Sequence, residues 1–295
     1  MNRFSIRDIE NLTGIKAHTL RIWEQRHGII KPKRTDTNIR YYDDKDLKLA
    51  LRVALLNQHG YKISHIQRMT EEEVNRLLRE TADAGFQFEY LLNNLIEATI
   101  DMDMGKFQLL VDKYIRKFGI EQAMESLIFS FLEKVGVMWM TDRIVPAQEH
   151  LVSNILSRKI LLAIEKLPRK ADFTRPSFLL FLPEGEIHEL GLLYVQYLLL
   201  KYNNHVIYLG ANSPLDQVAE VHRVLQPKYL YTHITAVQND FDVVEYFKKL
   251  SIIHPINKIF ASGTVIQKNK VSTGNNNIVF FSSLAEVKNI LYNVN

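Results

Sequence analysis

The sequence predicts a multidomain chain of α and α/β parts: a small helical head, a block of four helices, and a closing stretch in which strands and helices alternate. Three observations carry this. Basic residues gather at one end: residues 1–80 hold 16 Lys and Arg against 11 Asp and Glu, a net +5, while the remainder holds 21 against 22, a net −1. Apolar residues recur at helical spacing from 88 to about 166. After residue 176, short apolar runs alternate with helical stretches, the pattern of a parallel sheet with crossover helices.

Composition narrows the class. Hydrophobic residues at 46% and charged residues at 24% suit a globular chain of 295 residues with more than one core. The absence of Cys excludes disulfides, thiolate metal sites and cysteine nucleophiles. The first ten residues lack the apolar centre of a signal peptide, and no apolar run approaches the ~18 residues of a membrane span. A cytoplasmic location without membrane contact is the expectation.

In chain order, Ser5 is placed to cap a helix over 6–12, with Asp8 near the positive end of its dipole. Thr13-Gly14 ends that helix, and a second follows over 16–25, burying Ile15, Leu20 and Trp23. Gly28 stops it; residues 31–33 lead into an extended segment with a turn at Asp36, Thr37 and Asn38 and a strand at 40–42. Helix, tight turn, helix and hairpin read as a winged helix-turn-helix. The second helix offers Lys16, His18, Thr19 and Arg21 to a major groove, and the wing offers Arg34, Arg40 and Tyr41 to phosphate. Asp43 or Asp44 caps a helix over 45–59, a short helix covers 64–68, and Thr70 with Glu73 forms a capping box for the next.

Helical blocks at 88–100, 104–118, 120–139 and 146–167, with short connections, predict a four-helix bundle. Residues 168–176, rich in Lys, Arg and Pro, read as a linker. Strands at 177–182, 205–209, 229–233, 258–261 and 278–280 then predict a Rossmann-like (flavodoxin-like) domain, whose ligands bind at the carboxyl ends of the strands. The expected domains are 1–75, 85–168 and 176–295. The loop over 183–191 is the most informative segment, because it follows the first strand and opens a helix near 192. A neutral imidazole such as His188 is a good cobalt ligand, and Glu186 can supply the carboxylate that a metal-bound imidazole usually engages through its other nitrogen. Gly191 lets a bulky ligand approach the backbone.

Residues 15–24, 28–34 and 39–42 together resemble the MerR family, and the resemblance runs over about 3–75. Asn38-Ile39 replaces that family's Gly-Tyr before the wing Arg, and Asn tolerates a left-handed turn. The resemblance implies binding of double-stranded operator DNA by at least a dimer. Farther on, Glu186-x-His188-x-x-Gly191 resembles the DxHxxG signature of cobalamin-binding domains. Forty residues separate it from Thr232-x-Ile234, similar to that family's SxL, and another 27 precede Ser262-Gly263, where the family has Gly-Gly. The implied roles are His188 as lower axial cobalt ligand and Thr232 as hydroxyl partner of the benzimidazole tail. Ser262, in place of the first glycine, is expected to crowd the nucleotide tail.

Trp139 followed after nine residues by Glu149-His150 resembles the helical module of CarH-type repressors, which use adenosylcobalamin as a light sensor. That resemblance implies Trp139 over the upper face of the corrin, Glu149 against the adenosyl group and His150 near the upper axial position. Met140 stands where the light-sensing relatives carry His, which puts the light-adapted state in question. The expected protein is therefore a cobalamin-controlled transcriptional regulator, a repressor, with residues 85–168 and 176–295 clamping adenosylcobalamin in a dimer or tetramer. Two alternatives stay open. One is a corrinoid methyl-carrier enzyme; the other is a MerR-type regulator whose C-terminal module is degenerate and senses another ligand or a protein.

Overall fold

A computed structural model describes residues 3–140, 143–168, 176–237, 241–269 and 277–293. The chain forms two compact units, Met1–Ile155 and Leu156–Asn295. Most of the 168–176 linker lies outside the described residues.

In the first unit, α1 (Ile6–Thr13) begins with a complete capping box between Ser5 and Asp8 and ends at Gly14, whose φ is 73°. The Thr13 hydroxyl donates to the Ile9 carbonyl at 2.6 Å and accepts the Ile15 N–H at 3.2 Å, which fixes the turn. Then α2 (Ala17–Ile22) runs on into a π-helical turn over Trp23–His27, with Leu20 and Trp23 buried. The uniform helix expected over 16–25 is thus widened in its last part. Strands β1 (Lys33–Arg34) and β2 (Arg40–Tyr41) pair antiparallel as a wing, and the Phe4 and Tyr42 backbones bond to each other at 2.8 Å in both directions. Asp43 caps α3 (Asp44–Gln58); α4 (Ile63–Ile66) and α5 (Glu71–Glu80) follow, the latter with the Thr70–Glu73 box in place.

Helices α6 (Ala84–Ile100), α7 (Met104–Gln122), α8 (Phe129–Met140) and α9 (Pro146–Glu165) make up the middle region. Gly119, at φ 82°, interrupts α7, and a π-helical stretch over Ala123–Ile128 joins it to α8. Phe86, Phe107 and Phe131 are fully buried, the last two with ring centroids 5.2 Å apart. The head is fastened to these helices within the same unit. Arg52 on α3 forks onto Glu97 of α6 at 3.0 and 2.9 Å, and Arg143 reaches Asp8 at 2.6 Å and the Arg3 carbonyl at 2.7 Å. The unit boundary falls inside α9.

The second unit is a five-stranded parallel sheet. Its strands are β3 (Ser177–Pro183), β4 (His205–Ser213), β5 (Tyr229–His233), β6 (Ile259–Ser262) and β7 (Ile278–Phe280), in the order β4-β3-β5-β6-β7. This is the flavodoxin-like order, in which connections leave β3 in opposite directions and open a crevice at the carboxyl ends of β3 and β5. The crossover helices are α10 (Leu190–Lys201), α11 (Leu215–Leu225), α12 (Val243–Ile253), α13 (Thr264–Asn269) and α14 (Leu284–Asn293). Alternation along the strands sends Leu179, Phe181, Leu230, Ile259 and Ala261 to one face, where they pack with Val218, Phe247 and Leu250. No helix among the described residues is long and apolar enough to cross a membrane.

Candidate functional site

The loop after β3 turns back under the crevice. Glu186, charged yet almost fully buried, sits where the chain leaves the sheet. One carboxylate oxygen accepts the His188 ring Nδ1–H at 2.6 Å and the His188 backbone N–H at 2.9 Å. The other accepts the backbone N–H groups of Thr235 and Ala236 at 2.8 and 2.7 Å. One side chain therefore ties the β3 loop to the β5 loop across the switch point, 49 residues away along the chain. Burial pushes the Glu186 pKa up, but the bond from His188 and those from the Ala236 and His188 backbones outweigh it. The carboxyl is held below its ordinary range.

An ionised carboxylate on Nδ1 fixes the imidazole tautomer, with the proton on Nδ1 and the lone pair on Nε2. His188 remains 38% exposed at the mouth of the crevice. This is the arrangement a single metal-ligating imidazole requires. Among the described residues no group of three or more His, Cys, Asp or Glu could hold a metal ion. Thr232 supplies a second test of fit. Its side chain is fully buried, and the hydroxyl has no hydrogen-bond partner among the described residues, an orphan that a ligand acceptor or donor would satisfy. The donor set fits a corrinoid.

Ile234 is buried in the sheet core, and its carbonyl lies against Gly263. A Cβ at Gly263, whose φ is 109°, would stand 2.3 Å from that oxygen, so only glycine lets the β5 and β6 loops approach this closely. At Ser262, where crowding of a nucleotide tail is expected, the side chain is engaged within the protein. Its hydroxyl is engaged at 2.7 Å with both Tyr231 and His233. Gly191 lies in the first turn of α10, beneath the His233 ring.

Tyr231, His233, Asn212 and Glu189 take part in the site without standing out in the sequence as candidates. Asn212, at φ 52°, accepts the Gly185 N–H through its side chain at 2.8 Å, bringing the end of β4 against the loop. Glu189 accepts from the Tyr208 hydroxyl at 3.0 Å and the Ala211 N–H at 3.2 Å. Only His233 left a trace, as the middle residue of Thr232-x-Ile234. Its meaning depends on which neighbour the sheet provides.

In the first unit Trp139 is 45% exposed, a high value for the largest apolar side chain, and it closes α8 with Met140, whose side chain lies outside the described residues. Glu149 and His150 lie next to each other near the start of α9, the Glu149 Oε2 and His150 Nε2 3.6 Å apart, with the His150 side chain 61% exposed. Gln148 anchors that helix start by donating to the Thr99 and Ile100 carbonyls at 3.2 and 3.0 Å.

On the head, His18 and Arg21 are exposed along α2 and Thr19 is partly so. Lys16 is ion-paired with Glu10 at 3.0 Å, and Glu10 also caps α2 through the Ala17 N–H. Arg34 donates to the Asn38 side-chain oxygen at 2.6 Å, bracing the wing turn in which Asn38 takes the left-handed φ of 63°. Arg40 is exposed on β2, and the Arg3 guanidinium covers the Tyr41 ring at 4.9 Å.

A winged helix-turn-helix joined to a flavodoxin-order sheet with an imidazole–carboxylate dyad at its switch point defines a DNA-binding regulator with a ligand-binding unit. Residues 4–73 match the MerR HTH family regulatory protein description, and residues 91–162 match the B12 binding domain. The chain is 25% identical to the HTH-type transcriptional repressor CarH of Myxococcus xanthus, over 81% of each chain. It is 28% identical to the CarA repressor of the same organism, over 71% of this chain and 68% of that one. The monomethylamine corrinoid protein of Methanosarcina barkeri shares the fold, with a TM-score of 0.53 at 15% identity over 70% of this chain and 98% of that one. The chain is a MerR-type transcriptional regulator with a B12-binding domain, distantly related to the CarH and CarA repressors.

Proposed function

We propose that this chain is a transcriptional repressor whose hold on double-stranded operator DNA is set by cobalamin, bound through His188. The observation that carries the reading is the Glu186–His188 dyad at the β3/β5 switch point. Glu186 keeps the ring in the tautomer that presents Nε2, and its bonds to Thr235 and Ala236 hold the ligand loop in place before any metal arrives. The roles of Trp139, Glu149 and His150 toward the upper face of the corrin belong to the same proposal. When bound, adenosylcobalamin supplies one light-labile cobalt–carbon bond; everything else is done by the chain.

Regulation follows as a population shift. Occupancy of the ligand unit favours an assembly of two or four copies, which holds several heads on adjacent half-sites and strengthens operator binding by roughly 100-fold through effective concentration. His18, Thr19 and Arg21 on α2 read the major groove, with Lys16 at its start, while Arg34, Arg40 and Tyr41 set the wing on phosphate.

The test is an absorption spectrum of the protein after incubation with adenosylcobalamin and desalting, before and after green light. Retained corrin bands are expected for the wild type and lost in His188→Ala, which should keep the weaker DNA binding of separate heads and lose the cofactor-dependent strengthening. Absence of corrin bands from the wild type would leave the sensor reading without support. Gel filtration of the same samples tests the assembly: unchanged elution in all conditions rejects it.

A further inference from the structure

We propose that His233 is a specificity-determining plug: held by Ser262 against Gly191, it fills the space that a corrinoid's nucleotide tail needs. The proposal rests on the corrinoid reading of the site. It begins from a substitution pair. Position 262 is Ser where cobalamin-binding domains are expected to have glycine, and the residue between Thr232 and Ile234 is an imidazole. The two are partners. They are register neighbours on adjacent strands, and the His233 Nδ1 lies 2.7 Å from the Ser262 hydroxyl.

That hydroxyl also meets the Tyr231 hydroxyl at 2.7 Å, so the three side chains form one hydrogen-bonded row on one face of the sheet. Tyr231 and His233, two residues apart on a strand, necessarily share this face, while Thr232 between them points to the other. The row drives the ring onto α10. A Cβ built on Gly191 would lie 2.3 Å from His233 Nε2 and 2.5 Å from Cδ2, so the imidazole occupies the very space that the missing side chain leaves open. Gly191 and residue 262 are the positions where tail clearance is expected, and one ring now spans both.

The chemistry of the plug matches what it excludes. An imidazole is the five-membered half of a benzimidazole, flat and of similar thickness, and it stands in for the base that a nucleotide tail would bring. A corrinoid without the nucleotide loop reaches His188 with the plug in place. Intact cobalamin reaches it only after the ring has left Ser262 and swung away from Gly191.

The experiment compares adenosylcobinamide, which lacks the nucleotide, with adenosylcobalamin, titrated in the dark onto the full chain and followed by the corrin absorption bands. The wild type is expected to hold the cobinamide at least tenfold more tightly. Ser262→Gly, which frees the ring and restores the expected glycine, and His233→Ala, which removes it, should each tighten cobalamin by tenfold or more and leave cobinamide within twofold. Circular dichroism reports whether each variant folds, and the wild-type comparison stands even where one does not. A wild type that prefers cobalamin overturns the proposal, as do folded variants that leave the preference unchanged. Failure of every form to take up either corrinoid overturns the cofactor reading itself, a result distinct from both.

Discussion

Glu186 and His233 show how much one side chain can decide here. Glu186 is a buried charge satisfied on every side, with four hydrogen bonds from His188, Thr235 and Ala236. Replacing it by Gln keeps the shape but puts an amide N–H against groups that are themselves donors. Glu186→Gln should therefore weaken corrinoid affinity by about 10- to 100-fold, the usual effect of losing a carboxylate behind a metal-bound imidazole, measured by absorbance titration. His233 makes a separate prediction with pH. Burial pushes its pKa down from 6.5 to about 4, against the pull of the Glu186 charge, so the fold holds the neutral ring. Its contribution to stability is complete above pH 6.5 and is lost as the pH falls toward 4, about 3 kcal/mol in all. His254, also buried and lowered to about 4, first by burial and then by His222, titrates over the same window. Thermal melts across pH 7 to 4 should show this loss, and His233→Ala should flatten the slope by about half; an unchanged slope would show that the ring does not stay neutral.

Among elements, the closest constraint is the approach of the β6 end to the β5 loop. Gly263→Ala would press a methyl group to 2.3 Å of a backbone oxygen at a φ of 109°, and neither neighbour is a flexible side chain. A loss of more than about 2 kcal/mol is expected, read as a lowered denaturant midpoint. The head has a counterpart in the segment between α8 and α9. Arg143 there pairs with Asp8, the same carboxylate that completes the α1 capping box, and also donates to Arg3, whose guanidinium covers the wing residue Tyr41. The segment bounded by Trp139 and Glu149 therefore touches the DNA-reading head directly. Arg143→Ala should weaken operator binding several-fold although it removes no candidate DNA contact. Equal affinities for the variant and the wild type would show that the pairing is only a surface contact.

At the scale of the whole molecule, charge is segregated: the excess of +5 lies within the first 80 residues and the rest is close to neutral. Association with DNA should then depend steeply on salt, with the slope set by the head alone. Arg40→Ala should weaken binding to all sequences similarly and reduce the log–log salt slope by about 1, measured by fluorescence anisotropy between low and moderate salt. A change confined to one base position would instead make Arg40 a base-reading residue.

Local chemistry was enough to specify the elements of this chain. Ser5 caps α1 as expected, Thr70–Glu73 forms the box its spacing promised, Asn38 takes the left-handed turn, and the alternation after residue 176 becomes a parallel sheet. Caps, turns and strand periods depend on residues a few positions apart, so a linear reading reaches them. It also reached Glu186 and His188, whose partnership spans two residues. The grip of Glu186 on Thr235 and Ala236, and the row from Tyr231 through Ser262 to His233 over Gly191, join segments 29 to 50 residues apart. Those contacts exist because β5 lies between β3 and β6 in the sheet, and strand order is set by how the helices cover its two faces, a property that no short stretch of sequence contains.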